Sequence, residues 1–560
     1  MDNYQIADNF SLLAKLLDIH GENSFKSKSY ASSAFAIEKL NLPLTDTPRE
    51  KIATIKGIGT SAAQKIIELL DTGKLAGLEE IIQKTPPGII EMLSIKGIGP
   101  KKINTIWKEM EIENVGELLY ACKENRLKLY KGFGEKTQAN IIDTIEFYQK
   151  SKGSYLYAQV DTIAPLISDF LGKKLEGIQI AITGAFMQQE EVIHELEYVV
   201  ATTAENIEKI LLNAEGISLE ESSENMLRYN SSAGIKIKLY PATQNSFFST
   251  LIRTSSSVSF GAKLEQEYPH IFAENRQDEV TRFENAGLQY IPAALRYDVS
   301  SISLAKNRQL PQLIQPTDIK GIIHCHSNWS DGSNTLEEMA KAAIERGLQY
   351  LVISDHSKSA FYAQGLHEDK VRAQHQQIDE LNQLLYPFKI FKSIESDILN
   401  DGSLDYSEDI LASFDLVIAS IHSNLKMTEE KAMMRLMKAI ENPYTCILGH
   451  LTGRLLLSRP GYPINHQRII DACAANQVVI ELNAHPSRLD IDWKYIKQAT
   501  EKNVMISIDP DSHHTDGLDD TRFGVMVAQK AMLQPKQNLS SFSLIDFETF
   551  LHARKKGKQL

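Results

Sequence analysis

Gly321-Ile322-Ile323-His324-Cys325-His326-Ser327-Asn328-Trp329-Ser330-Asp331-Gly332 is an apolar run that ends in two histidines and meets an aspartate in the loop beyond. The phrase returns along the rest of the chain. Leu351-Val352-Ile353-Ser354 leads to Asp355-His356, Ile390-Phe391-Lys392-Ser393-Ile394 to Glu395, and Val417-Ile418-Ala419-Ser420-Ile421 to His422. Cys446-Ile447-Leu448-Gly449 leads to His450, and Met505-Ile506-Ser507-Ile508 to Asp511-Ser512-His513. Each reads as a β-strand with an imidazole or carboxylate at its C-terminal edge, followed by loop and helix. A (β/α) barrel assembles a metal site in this way, because its strand ends converge on one rim. His324, His326, Asp331, His356, Glu395, His422, His450, Asp511 and His513 are therefore candidate catalytic metal ligands. Cys325 points away from its neighbours if the strand alternates and is left out. Imidazole and carboxylate without thiolate suit Mn²⁺, Zn²⁺ or Fe²⁺ rather than Mg²⁺ alone. Arg454 and Arg488 are candidate phosphate-binding residues, with structural salt bridges as the plain alternative.

At about 100–200 residues per domain, the 560 residues allow three to five domains. With 42% hydrophobic and 24% charged residues, the composition is that of a soluble globular protein. A net charge of −12 argues against whole-surface binding of a polyanion but leaves room for local basic patches. No apolar run reaches about 18 residues, the length of a membrane span, and the N-terminus is polar and acidic. Cys122, Cys325, Cys446 and Cys473 lie far apart without CxxC spacing. A reduced, cytoplasmic protein without a membrane segment is expected.

The first 150 residues read as helices punctuated by one recurring turn. It appears as Ile55-Lys56-Gly57-Ile58-Gly59, as Ile95-Lys96-Gly97-Ile98-Gly99 and as Tyr130-Lys131-Gly132-Phe133-Gly134. This is a helix-hairpin-helix signature, whose glycines permit a tight turn and present backbone N–H groups at the mouth of the second helix. Gly57, Gly59, Gly97, Gly99, Gly132 and Gly134 are thus candidates for holding a DNA backbone without reading bases. A plain helix C-cap accounts for one such turn, but three with the same flanks favour DNA.

This order of parts closely resembles bacterial family-X DNA polymerases that carry a C-terminal PHP (polymerase and histidinol phosphatase) domain. The resemblance covers essentially the whole chain. HGENSFKSKSYASSAFAIEKL (20–40) and GIGTSAAQKIIELLDTGKLAGLEEI (57–81) are similar to the small end-binding domain. GSLDY (402–406), AIENP (439–443), LGHLTGRLLLSRPGY (448–462), ELNAHPSRLDI (481–491) and the nine ligands match the PHP part. The resemblance implies a multidomain α and α/β chain. Its parts would be a small helical DNA-end-binding domain with a helix-hairpin-helix (1–80), a second helix-hairpin-helix domain (81–150), a nucleotidyltransferase-like α+β palm (151–240), a thumb-like region and linker (241–315), and a distorted (β/α) PHP barrel (316–560). It further implies three divalent metals. His324, His326, Glu395 and Asp511 would hold one, Glu395 would bridge to a second with His422 and His450, and Asp331, His356 and His513 would take the third. Lys65 stands where eukaryotic relatives form a Schiff base in a lyase reaction, although Ser61 replaces a neighbouring lysine of theirs and a solvated helix lysine is the plain alternative.

The central third departs from the family. Where members carry Gly-Ser-x-Arg-Arg for a triphosphate, this chain has Gly184-Ala185-Phe186-Met187-Gln188. Their Asp-x-Asp is Glu195-Leu196-Glu197, and their third catalytic aspartate falls at Lys238. A methylene displaces a carboxylate by about 1.5 Å, and errors of about 1 Å can cost around 10²-fold. A lysine puts a cation where two-metal transfer needs a carboxylate. Glu195, Glu197 and Lys238 are accordingly expected to form a degenerate polymerase site with an ion pair in place of Mg²⁺.

The expectation is a cytoplasmic, monomeric DNA-repair protein. It would bind gapped, nicked or 3′-ended DNA without sequence preference and hydrolyse 3′-end phosphodiesters with Mn²⁺ in the PHP site. Gap-filling polymerase activity, a DNA-binding scaffold and a small-molecule phosphatase are the alternatives.

Overall fold

The computed structural model describes residues 1–559 apart from 2, 39, 41–42, 96 and 151–152, with backbone alone at 147, 149 and 150. Lys96 of the second repeated turn is therefore outside the described residues. The chain divides into two compact units, Met1–Tyr148 and Gln149–Leu560. No described helix is long and apolar enough to cross a membrane.

The first unit is helical and closes on one apolar core that runs from Ile6 and Phe10 to Ile141 and Ile145. Its three repeated turns share one geometry. Gly57, Gly97 and Gly132 have φ of 93°, 94° and 95°, a left-handed conformation that glycine adopts without strain. The apolar residue that follows (Ile58, Ile98 or Phe133) is buried and anchors the turn in the core. Gly59 and Gly99 then serve as N-caps of helices Thr60–Thr72 and Pro100–Lys108, and neither helix start has a side-chain cap. Those first N–H groups therefore lack a side-chain cap.

The second unit begins with a short antiparallel pair, β1 (Tyr155–Leu156) with β3 (Val192–Ile193). Beside it lies a mixed sheet of β2 (Ile180–Thr183), β4 (Glu195–Val200), β5 (Ile217–Ser223), β6 (Met226–Ser231) and β7 (Lys236–Pro241). The spatial order is β2-β4-β7-β6-β5, with only β4 and β7 parallel. Helices Tyr157–Lys174 and Ala204–Leu211 bury Val160, Ile167 and Ile207 against it. A small helical region follows around Phe260, Ile271, Phe283 and Leu295. Arg296 is fully buried there and donates to Glu279 Oε1 and Ser255 Oγ, both at 2.7 Å.

The remainder is a parallel barrel. β8 (Gly321–Cys325), β9 (Tyr350–Ile353), β10 (Lys389–Asp397), β11 (Leu416–Ser420), β12 (Thr445–Leu448), β13 (Val479–Asn483) and β14 (Ile506–Asp509) lie side by side in chain order. A bridge from Cys325 to Ser512 nearly closes the ring, with the His326 amide donating to the Ser512 carbonyl at 2.8 Å. These strands read as continuous apolar runs because both faces are covered. Ile323, Val352, Ile418 and Ile447 pack together with Phe547 and Leu551 of the C-terminal helix Leu544–Lys558. Gly321 is required here, since a Cβ would lie 2.1 Å from the Tyr350 ring.

β8 carries an extra residue. Ile322 pairs with Leu351 and Cys325 with Ile353, so three steps on β8 oppose two on β9. Such a bulge re-aims side chains at a sheet rim. Cys325 packs outward among Met339 and Ile353, while His324 and His326 both reach the site described next.

Candidate metal centre

At the C-terminal rim of the barrel, all nine candidate ligands converge. Eight are buried, and the His422 side chain retains 11% exposure. Glu395, at the end of β10, is the hub. Its Oε1 lies 3.0 Å from His422 Nε2, 2.9 Å from His450 Nε2 and 3.5 Å from His324 Nε2. Its Oε2 lies 3.0 Å from His356 Nδ1 and 3.7 Å from His326 Nε2. Asp511 Oδ1 is 3.0 Å from His326 Nε2 and 3.4 Å from His324 Nε2. Asp331 completes the set, 3.4 Å from His513 and 3.6 Å from His356.

Among the barrel residues, three groups have ligand atoms mutually within 4.8 Å: His326, Asp331, His356 and His513; His324, His326 and Asp511; and His356, Glu395 and His422. His326 and His356 each belong to two of them, so the groups form one connected centre. The resemblance implies sharing at Glu395; here His326 and His356 also link the groups.

The electrostatics of the centre suit cations. Burial alone would lower the His422 imidazole, but Glu395 and Asp397 push it up to about 10. Burial would likewise lower His324, yet Asp511, Glu481 and Glu395 hold it well above the usual range. Burial among His513 and His356 takes His326 the other way, down to about 3. Glu395 and Asp511 stay well below ordinary carboxylates against burial, chiefly through His422 and His324 for Glu395 and His324 for Asp511. Several buried atoms of ligand type here make no hydrogen bond: His324 Nε2, His356 Nδ1, Asp331 Oδ2 and Glu395 Oε2. Buried polar atoms are normally satisfied. Orphaned imidazole nitrogens and carboxylate oxygens clustered together fit divalent ions, and the donors belong to this chain alone.

A ring of further carboxylates and amides orients these ligands, and the sequence reading missed it. Asp397 Oδ1 lies 2.8 Å from His422 Nδ1, and Glu481 Oε1 lies 2.5 Å from His324 Nδ1. Glu481 also accepts the His450 amide, and the Asn483 amide donates to Asp511 Oδ2 at 3.0 Å. Asp355, fully buried, accepts from the Ser327 amide at 2.8 Å, the Ser327 hydroxyl at 2.6 Å and the Gln374 amide at 2.6 Å. It thereby fixes the loop that carries Asp331. A signal for two of them was present: Asp397 follows Glu395 by two residues, and Asn483 follows Glu481 by two, which puts each pair on one strand face.

The two arginines behave differently. Arg488 Nε lies 3.7 Å from Asp511 Oδ2, at the edge of the centre. Arg454 takes up the plain alternative, structural salt bridges. It donates to the Arg488 and Leu489 carbonyls and to Asp492 at 3.0 Å, and its Nη2 reaches Glu191 of the mixed sheet region at 2.8 Å. Lys530 adds a parallel tie to Glu190 at 2.8 Å, and Phe186 stacks at 4.7 Å on Tyr157, which meets Phe523 of the barrel edge to face at 6.5 Å. The segment where the resemblance expects a triphosphate clamp is thus fastened to the barrel.

In the mixed sheet, Glu197 and Lys238 are direct neighbours on β4 and β7. Lys238 Nζ lies 3.1 Å from Glu195 Oε1 and 3.7 Å from Glu197 Oε2. Arg228 holds the other Glu195 oxygen at 3.0 Å, and the Tyr240 hydroxyl donates to Glu197 at 2.6 Å. Burial would raise Glu195, but the Arg228 and Lys238 contacts bring it below the usual value. In the first unit, Lys65 is paired with Glu68 at 2.7 Å.

Comparisons with known proteins agree with this layout. A model described as a helix-hairpin-helix domain matches residues 1–75, a SAM-like helix-hairpin-helix tandem matches 89–146, and a PHP domain matches 323–485. A relative in Bacillus subtilis, the DNA polymerase/3′-5′ exonuclease PolX, is 31% identical over 96% of this chain and 97% of its own length. A "probable phosphatase" of Acetivibrio thermocellus is 29% identical over 32% of this chain and 73% of its own. Another, from Thermoanaerobacter sp., is 27% identical with the same coverage.

Proposed function

The chain belongs to the PolX family, and on that premise we propose that it is a DNA-repair protein working through one of its two potential centres. It binds gapped, nicked or 3′-ended DNA and hydrolyses 3′-terminal phosphodiesters at the barrel rim, while templated synthesis in the mixed sheet is weak or lost. The carrying observation is the contrast between the two sites. The barrel gathers all nine candidate ligands, eight of them buried, with Glu395 at the hub. The other site sets the Lys238 ammonium between the two carboxylates that should hold metal.

Three divalent ions, Mn²⁺ foremost with Zn²⁺ or Fe²⁺ as alternatives, are proposed for the barrel, with His324, His326, Asp331, His356, Glu395, His422, His450, Asp511 and His513 as their ligands. When bound, such ions supply Lewis acidity and charge neutralisation for displacement at phosphorus. The chain's residues do the rest. Asp397 and Glu481 fix the imidazoles of His422 and His324 by their Nδ1 atoms, leaving Nε2 directed at Glu395. Arg488 can face an incoming phosphate from beside Asp511. The turns at Gly57-Gly59, Gly97-Gly99 and Gly132-Gly134 hold the DNA backbone with amides. Lys65, paired with Glu68 at 2.7 Å, is not assigned lyase chemistry.

The test is a gel assay on 3′-labelled and 5′-labelled gapped duplexes with Mn²⁺, with and without nucleotides. Wild type should shorten 3′ ends stepwise, His324→Ala/His326→Ala should not, and neither should extend. Template-length extension by wild type would defeat the reading.

A further inference from the structure

Between the ligand His356 and Leu366, the barrel rim carries a loop that is tightly held yet presents a bare aromatic ring. Its ends pair through a bridge from Ser357 to Leu366, and the Leu366 amide donates to the His356 carbonyl at 2.9 Å. Asp405 accepts from the Ser359 amide at 2.6 Å and from its hydroxyl at 2.5 Å. The Tyr406 hydroxyl caps the Leu366 carbonyl. Gly365 passes so close that a Cβ would lie 1.9 Å from the Ser357 carbonyl oxygen. Within this frame, Ala360, Ala363 and Leu366 are fully buried, whereas Phe361 is 80% exposed. One aromatic ring, Tyr362, stands between it and the ligand His356. Tyr362 lies 6.4 Å from the His356 ring, and Phe361 meets Tyr362 edge to face at 5.8 Å.

A large apolar side chain held in water on a fixed loop contributes nothing to the core and exposes apolar surface. Such exposure at a site mouth marks a contact surface for what enters the site. A DNA 3′ end brings a phosphodiester to the metals and a nucleobase beyond it. Bases stack on aromatic rings with little dependence on sequence, because every base has a π-face. We propose that Phe361 is a platform on which the 3′-terminal nucleobase stacks. This rests on the reading of the barrel as a 3′-end hydrolase, and it assigns that site a base contact.

The experiment compares first-cleavage kinetics on two single-stranded oligonucleotides of one sequence. One ends in an ordinary 3′ nucleotide and the other in an abasic 3′ residue. Each is tested with full-length wild type, Phe361→Ala and Phe361→Trp in Mn²⁺. Wild type should lose about tenfold in kcat/KM when the terminal base is removed, mostly through KM. Phe361→Ala should show the same loss on the ordinary end and no further loss on the abasic one. Phe361→Trp should match or exceed wild type on the ordinary end alone. A Phe361→Ala protein within twofold of wild type on the ordinary end overturns the platform, as does equal loss on both ends, which would point to another use of the ring such as a protein contact. Wild type without end hydrolysis removes the platform together with the functional reading beneath it.

Discussion

Lys238 and Glu195 meet at 3.1 Å across paired parallel strands, with Glu197 a further 0.6 Å away in contact distance, at 3.7 Å. An ammonium at this spot repels a divalent ion that the carboxylates would otherwise attract. Wild type should therefore bind no Mn²⁺ in the mixed sheet. Lys238→Asp should bind at least one ion more per chain, read by electron paramagnetic resonance titration at equal protein concentration. Equal stoichiometry would show that the methylene-lengthened Glu195 and Glu197, rather than the lysine, exclude the metal.

Asp397 acts on the centre only through His422, whose Nδ1 it holds at 2.8 Å. Loss of such an outer partner typically weakens metal affinity about 10–100-fold. Asp397→Asn should show that loss in metal-buffered titrations while its melting temperature stays near that of wild type. An unchanged affinity would mean that Glu395 alone orients the ring.

The barrel was legible because six of its seven strands repeat one phrase, an apolar run that leads to an imidazole or carboxylate at the C-terminal edge. Its finer construction was not. The bulge between Ile322 and Cys325 depends on pairing with β9, which no local pattern encodes. The tasks of Asp355 and Glu481 likewise depend on partners 28 and 157 residues away, Ser327 and His324. Arg454 illustrates the limit from the other side. A lone arginine in a loop near ligands reads as a phosphate contact, yet its partner Glu191 lies 263 residues upstream.

That Arg454–Glu191 pair joins the mixed sheet to the barrel with both side chains largely buried, at 12% and 16% exposure. Burial raises the Glu191 carboxyl above its ordinary value despite Arg454, so the arginine is what makes the buried charge tolerable. Removing one partner of such a pair destabilises by about 3 kcal/mol. Arg454→Ala should lower the denaturation midpoint accordingly, and Arg454→Ala/Glu191→Ala should recover part of the loss. If the double variant is as unstable as the sum of the singles, the two side chains act independently and the tie is not an ion pair.

Gly97 and Gly99 allow folding and the proposed DNA contact to be tested separately within one turn. Gly97 has φ of 94°, so Gly97→Ala should destabilise the first unit by about 1–2 kcal/mol through backbone strain. Gly99 has φ of −86°, which alanine adopts freely, and a Cβ there would meet nothing within 4 Å. Gly99→Ala should therefore melt like wild type. On the proposed DNA contact, the same methyl would crowd a phosphate oxygen approaching the amides that follow Pro100. Fluorescence anisotropy on a gapped duplex should show affinity reduced roughly tenfold, the scale of one hydrogen bond to a charged group. Full affinity with an unchanged melting temperature would remove this turn from the DNA interface and leave the other two to carry it.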